Sequence, residues 1–275
     1  GSDYYELALV EFTEKMHSSL PPTRLRGYVQ LSTAAVPGKQ IPLLNIDGTP
    51  VLMPDGVTPA KAVDNPRYLG PNIVASGSAH GVPGPAGQPV PVRIKFYNLL
   101  PAGAGGNLFL SVDETVMGSG LGPALPGTAG DKFKQNRATV HLHGNNTVWI
   151  SDGNTHQWIT PADEVTPYPK GVSARNVPDM LDANGAVECD TTPAGKNSSG
   201  CQTFYYTNAQ SARLQFYHDH AMGITRLNVY GGEAGGYVMT NVVEQDLING
   251  TNVSGVNPNN LIGVLPGIGI PLVLQ

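Results

Sequence analysis

His141-Leu142-His143-Gly144 and His218-Asp219-His220 hold four of the chain's seven histidines. Each pair has the i, i+2 spacing. On a β-strand, alternate side chains share a face and sit about 6.6 Å apart along the strand. Two such pairs laid side by side present four imidazoles to one region. Imidazole suits copper, zinc, iron and nickel, so the pattern predicts a transition-metal cluster built on extended backbone. A single His-x-His on a strand is common surface chance; two in one chain are a stronger signal.

The elements that must position these pairs are short and β-like. Charged residues make up 13% of the 275, while 34 Gly and 24 Pro together form about a fifth of the chain. That composition favours strands, turns and long loops over helices. Strands are expected at Tyr4–Phe12, Leu20–Tyr28, Val90–Asn98, from near Arg137 to His143, at Leu214–His218, and at Gly235–Val243. Residues 33–64, 101–130 and 180–200 read as irregular excursions, and Ala221 to Tyr230 as a short helical turn. The expected fold is all-β, a Greek-key sandwich or barrel with long loop insertions.

The net charge of −5 leaves no basic footprint for nucleic acid. No run of 18 apolar residues spans a membrane. Cys189 and Cys201 bracket a Gly/Pro/Ser/Thr-rich stretch. A disulfide is preferred there over a metal pair, because neither cysteine has a neighbouring histidine. Such a bridge implies an oxidising compartment, so a secreted, periplasmic or cell- or spore-surface location is expected. Triplets beginning at Asn145, Asn197, Asn249 and Asn252 fit glycosylation acceptors, a weak signal in the same direction. Gly1-Ser2 reads as an expression remnant or a processed end. The strand-like run Ile270–Gln275 has no terminator, as at a natural C-terminus or in a chain cut inside a larger protein.

The strings around the histidines carry more. His141-Leu142-His143-Gly144 is followed by Trp149, Ser151, Asp152 and Gly153, then by Phe216-Tyr217-His218-Asp219-His220-Ala221-Met222-Gly223-Ile224-Thr225-Arg226-Leu227-Asn228-Val229-Tyr230. Together they resemble the first cupredoxin domain of multicopper oxidases. Within that family they are most similar to the spore-coat laccase and bilirubin oxidase branch. Leu20–Tyr28 and Tyr68-Leu69-Gly70-Pro71 share the resemblance, which covers most of the chain outside the three excursions.

The resemblance implies a function. Family members couple one-electron oxidations of a donor to four-electron reduction of dioxygen to water, using a type 1 copper and a trinuclear type 2/type 3 cluster. It places His141 on the type 2 copper, and His143, His218 and His220 on the type 3 pair. Asp152 takes the role of a carboxylate that assists proton delivery or orients a metal-bound water. Its plainer reading is an Asx-turn before Gly153. His156 matches no ligand position of the family, and His17 and His80 read as solvent-facing. Trp149, Trp158, Phe216 and Tyr217 read as core or cluster wall. Asp219 reads as a structural hydrogen-bonder pointing away from the cluster. Arg226 and Asn228 are expected to knit the following loop to the core.

A type 1 copper needs a thiolate with two imidazoles, and the family carries it as His-Cys-His. Neither cysteine has that setting, so the type 1 site and the remaining cluster ligands fall outside this chain. The expectation is the N-terminal part of an oxidase, inactive without a C-terminal portion carrying the His-Cys-His motif. Residues 1–245 form the first cupredoxin domain, and 246–275 a linker with the first strand of a second. The donor is a phenol, a pigment or a metal ion. The alternative is a non-catalytic cupredoxin module that binds metal or serves a structural role.

Overall fold

The computed structural model describes residues 1–127, 129–175, 179–181, 184–187, 189, 191–267 and 269. In chain order the strands are β1 (Asp3–Glu14), β2 (Thr23–Gln30), β3 (Ile41–Pro42), β4 (Lys61–Ala62), β5 (Ile73–Ser76), β6 (Val92–Asn98), β7 (Val140–His143), β8 (Cys201–Tyr206), β9 (Arg213–Asp219) and β10 (Ala234–Thr240). Helices α1 (Thr225–Gly231) and α2 (Val242–Asn249) are short. Two four-stranded sheets form, in the orders β2-β1-β6-β8 and β5-β10-β9-β7, with β3-β4 as a separate ribbon. This is the expected all-β sandwich class.

The core lies between the sheets. Leu7, Leu9, Ile94, Phe96 and Phe204 from the first sheet join Ile73, Val140, Leu142, Tyr217, Tyr237 and Met239 from the second in one buried cluster. Strand β1 is buried on both faces. Its other face, Ala8, Val10 and Phe12, packs under Leu43, Val51, Ala60 and Ala62. The 33–64 excursion is therefore a cover for the first sheet. It explains why Leu7-Ala8-Leu9-Val10 reads as a continuous apolar run rather than an alternation. The 101–130 stretch likewise contributes to a third cluster, with Leu108 beside Phe133, Trp158, Tyr168, Ala221 and Ile224.

Two elements differ from the sequence expectation. The last strand stops at Thr240 instead of Val243. Asn241 caps helix α2, its side chain accepting from the Glu244 amide at 3.1 Å. An Asn cap with Glu three residues on is a helix-start signal, and here it overrides the β-preference of Val242-Val243. Strands β5 and β8 were hidden by the Gly/Pro-rich and Cys-containing segments that flank them. Helix α2 runs through Asp246, whose carboxylate accepts from the Thr251 and Ser254 hydroxyls at 2.5 and 2.6 Å, folding the next loop back onto the helix. Residues 270–275, where a further strand was expected, lie outside the described residues.

Cys189 and Cys201 form a disulfide, with Cα atoms 5.3 Å apart and 12 residues of separation. Both are buried under the first sheet with Tyr97 and Leu99. Closing a loop of this size removes chain entropy from the unfolded state. Replacing both cysteines by alanine is expected to lower the unfolding free energy by about 2–4 kcal/mol, read from denaturant midpoints. A matching loss should follow from adding reductant to the native protein.

Candidate metal centre

Strand β7 delivers the first pair by simple alternation. Val140 and Leu142 are fully buried in the core, so His141 and His143 take the opposite face. Strand β9 runs antiparallel beside it, with His141 opposite His218, His143 opposite Phe216 and Val140 opposite Asp219. Tyr217 fills the core side, which turns Phe216 and His218 to the histidine face. His220 follows the end of β9. Adjacent strands thus bring together histidines 75 or more positions apart, as the i, i+2 spacing predicted.

The four rings are mutually close. The His141 ring centroid lies 5.7 Å from His143, 5.5 Å from His218 and 4.3 Å from His220, the last stacked at 15°. His143 and His218 are 5.4 Å apart, and His218 and His220 5.6 Å. Potential ligand nitrogens of His141, His143 and His218 all fall within 4.8 Å of one another. His220 joins them through its stack on His141. Phe216 lies flat against His143 at 4.8 Å and beside His218 at 5.1 Å, forming one wall.

Backbone carbonyls settle the tautomers. The Nδ1 of His141 donates to the carbonyl of Asp152 at 2.5 Å. The Nδ1 of His218 donates to the carbonyl of Asp219 at 2.5 Å, and that of His220 to the carbonyl of Gly153 at 2.8 Å. A carbonyl only accepts, so in each ring the proton sits on Nδ1 and the Nε2 lone pair is left for a metal. His143 differs, with its Nδ1 3.2 Å from the His218 Nε2. Burial pushes the His218 imidazole down to about 4, against a weaker opposing pull from its carbonyl bond, and lowers His141 as well. Both rings are therefore neutral at neutral pH, the form that binds metal.

The Asp152-Gly153 pair is a second support. Asp152 ends a short 3₁₀ turn over Trp149–Ser151. Its carbonyl fixes His141, and its partly exposed carboxylate lies 3.5 Å from the same Nδ1. Gly153 adopts φ +68°, and a Cβ there would meet the Val140 carbonyl oxygen at 2.2 Å. Only glycine brings its own carbonyl this close to both strands and still reaches His220.

Comparison with known proteins follows this geometry. No family model matches the chain. The solved structure of a laccase from Pediococcus acidilactici aligns with 90% of the chain and 28% of its own length, at 15% identity and a TM-score of 0.42. A bilirubin oxidase of Albifimbria verrucaria is 54% identical over 44 residues, 16% of this chain. The laccase of Bacillus subtilis (strain 168) is 26% identical over 245 residues, 89% of this chain. Over about nine-tenths of its length the chain is similar to laccases of the multicopper oxidase family. It spans 30% of the length of that laccase.

Around the four histidines several supporting residues differ from their sequence reading. Trp149, read as core or wall, is 61% exposed; it follows Val148 on the surface of the 3₁₀ turn. Arg226, read as a loop anchor, is exposed on α1, because the inward positions of that short helix go to Asn228 and Gly231. Asn228 does the anchoring, donating to Asp219 at 3.0 Å. Asp219 is fully buried, and its carboxylate also accepts from the Thr139 amide at 3.0 Å and the Ala221 amide at 3.2 Å. Its burial raises its affinity for a proton, against the opposing pull of those bonds and of Arg137. His156 keeps its ring against the Thr155 hydroxyl at 3.0 Å and is outside the ligand group. His17 and His80 are exposed, as expected. Arg137 was overlooked as more than a strand start. Its signal was a lone arginine in a segment that ends in two metal-type histidines.

Proposed function

We propose that this chain is the N-terminal part of a laccase-like multicopper oxidase and supplies half of the ligands of a trinuclear copper cluster. His141 would hold the type 2 copper, and His143, His218 and His220 the type 3 pair. The observation that carries this reading is the set of three Nδ1–carbonyl bonds, which leave neutral Nε2 lone pairs among closely spaced rings. A donor set made only of imidazoles fits copper. Copper held by these residues would supply electron transfer to dioxygen, with four electrons and four protons needed to convert one O₂ into two waters.

This chain's own residues orient the imidazoles and serve the proton supply. Asp152, with its carboxylate beside His141 and partly open to solvent, is the proposed proton carrier or water orienter. Both cysteines are consumed in the disulfide, which supports placing the type 1 copper and the remaining ligands on a C-terminal portion with a His-Cys-His motif. Residues 1–245 would then form the first cupredoxin domain, and 246–275 lead into a second. Donors fitting such an oxidase are phenols, bilirubin-like pigments and metal ions. The disulfide supports a secreted, periplasmic or cell- or spore-surface setting; among the described residues no helix is long and apolar enough to cross a membrane.

The test is a copper count and oxygen uptake on the intact protein after copper loading. Bound copper with blue absorbance, and one O₂ consumed per four one-electron oxidations of a phenol, supports the reading. Copper without oxygen uptake favours a metal-binding module. Absence of copper leaves a structural domain.

A further inference from the structure

Arg137 is buried to 1% exposure, and among the described residues its guanidinium hydrogen-bonds to carbonyls while Asp219 supplies a favourable charge without a direct bond. Its guanidinium lies 5.2 Å from the ring centroids of both Phe133 and Trp158. Its polar edge goes to three backbone carbonyls instead. One terminal nitrogen donates to Lys134 at 2.6 Å; the other donates to Gly118 at 3.0 Å and Met222 at 2.8 Å. Arg137 thereby joins three separate segments: its own strand lead-in, the 113–120 turn and the loop just after His220. The last two touch so closely that a Cβ on Gly223 would meet Gly118 at 2.3 Å.

The His220 loop is tied at Ala221, whose amide donates to Asp219 and whose carbonyl accepts from the Thr225 amide and hydroxyl at 3.1 and 2.8 Å. At Met222 the amide donates to the Thr155 carbonyl at 2.9 Å. Thr155 follows two residues after Gly153, in the turn next to Asp152 and Gly153, whose carbonyls orient His141 and His220. The Met222 peptide is thus held from both sides, by Thr155 and by Arg137. A buried cation that spends its donors on loop carbonyls is a costly device for stability alone. The flat fork of a guanidinium can reach three carbonyls at fixed angles, and an ammonium cannot.

We propose that Arg137 is a positioning residue for the copper cluster, which fixes the His220 imidazole on its stack with His141 by clamping the Met222 carbonyl. The inference rests on the copper reading above. It adds a residue three positions before the strand that carries His141 and His143, acting through backbone two residues beyond His220.

The test compares Arg137→Lys, His220→Ala and Tyr168→Phe in the intact protein. Copper affinity is measured by chelator competition, and the bound metal by its paramagnetic resonance spectrum. Arg137→Lys is expected to weaken copper binding by about 10-fold or more, the usual range for groups that orient ligands, and to alter the spectrum. Tyr168→Phe is the stability control. Its hydroxyl donates to Pro123 at 2.7 Å and accepts from Asp131 at 2.9 Å, so the change removes polar bonds to partners outside the His220 loop from the same apolar cluster. It should lower the melting temperature and leave copper unmoved. If His220→Ala changes copper but Arg137→Lys does not, positioning by Arg137 is overturned. An equal copper loss in Tyr168→Phe overturns it too, since general loosening then explains both. If His220→Ala leaves copper unchanged, the copper reading itself has failed. Should Arg137→Lys not fold, Trp158→Phe, which thins one face of the sandwich around the guanidinium, takes its place. It should shift the spectrum in the same sense, and an unshifted spectrum overturns the proposal.

Discussion

Replacing His218 by alanine is expected to cost the intact protein its cluster copper and to lower oxygen reduction by more than about 100-fold, beyond the range seen for loss of mere supporting groups. His218 sits at the centre of the group. It faces His141 across the strand pair, and its Nε2 lies 3.2 Å from the Nδ1 of His143. No neighbour can substitute, because Phe216 occupies the position beside it and His220 already stacks on His141. His80→Ala, on an exposed loop, should leave copper and oxygen uptake intact. Undiminished oxygen reduction in His218→Ala sinks the ligand assignment. The apo protein gives an independent sign. His218 titrates near 4 when folded and near 6.5 when unfolded, so the unfolded chain binds the extra proton first. Stability contributed by the neutral ring is full above about pH 6.5 and is lost as pH falls toward 4. His218→Ala should therefore flatten the acid side of the apo stability curve over that window.

Much of this site was legible because period-2 alternation is a local property. The face taken by His141 and His143 followed from Leu142 between them, and that of His218 from Tyr217. The strings around both pairs also carried the family resemblance. What stayed hidden was non-local. Nothing in the sequence says that His141 and His220 bond to the main-chain carbonyls of Asp152 and Gly153. Nor does it say that the turn-rich 33–64 segment buries the second face of β1. Val242-Val243 misled because strand propensity was weighed without the Asn241 cap. Trp149 misled because a large aromatic next to a ligand motif invites a core reading, while a one-turn 3₁₀ helix on the surface leaves room for an exposed one. Arg137 was missed because its partners are main-chain carbonyls from two distant loops, and a carbonyl leaves no trace in residue type.

Asp219 offers the largest expected effect on folding. It lies between His218 and His220 but points the other way, fully buried. Its carboxylate collects the amides of Thr139 and Ala221 and the side-chain amide of Asn228. These bonds join the lead-in of β7, the His220 loop and helix α1, and Arg137 adds favourable charge. Asp219→Ala strands three buried donors and leaves Arg137 without its nearest favourable charge. Each unsatisfied group costs about 1–3 kcal/mol, and breaking a buried charged network about 3–5 kcal/mol in total. The expected loss is therefore about 3–5 kcal/mol, enough to unfold a marginal domain. Asp219→Asn keeps the shape and one acceptor oxygen, and should cost clearly less. Denaturant unfolding of the apo protein reads both. If Asp219→Ala costs no more than Asp219→Asn, the carboxylate is not the hub that joins β7 to the His220 loop. The closeness of His220 to His141 would then have to come from Gly153 and the Met222 clamp alone.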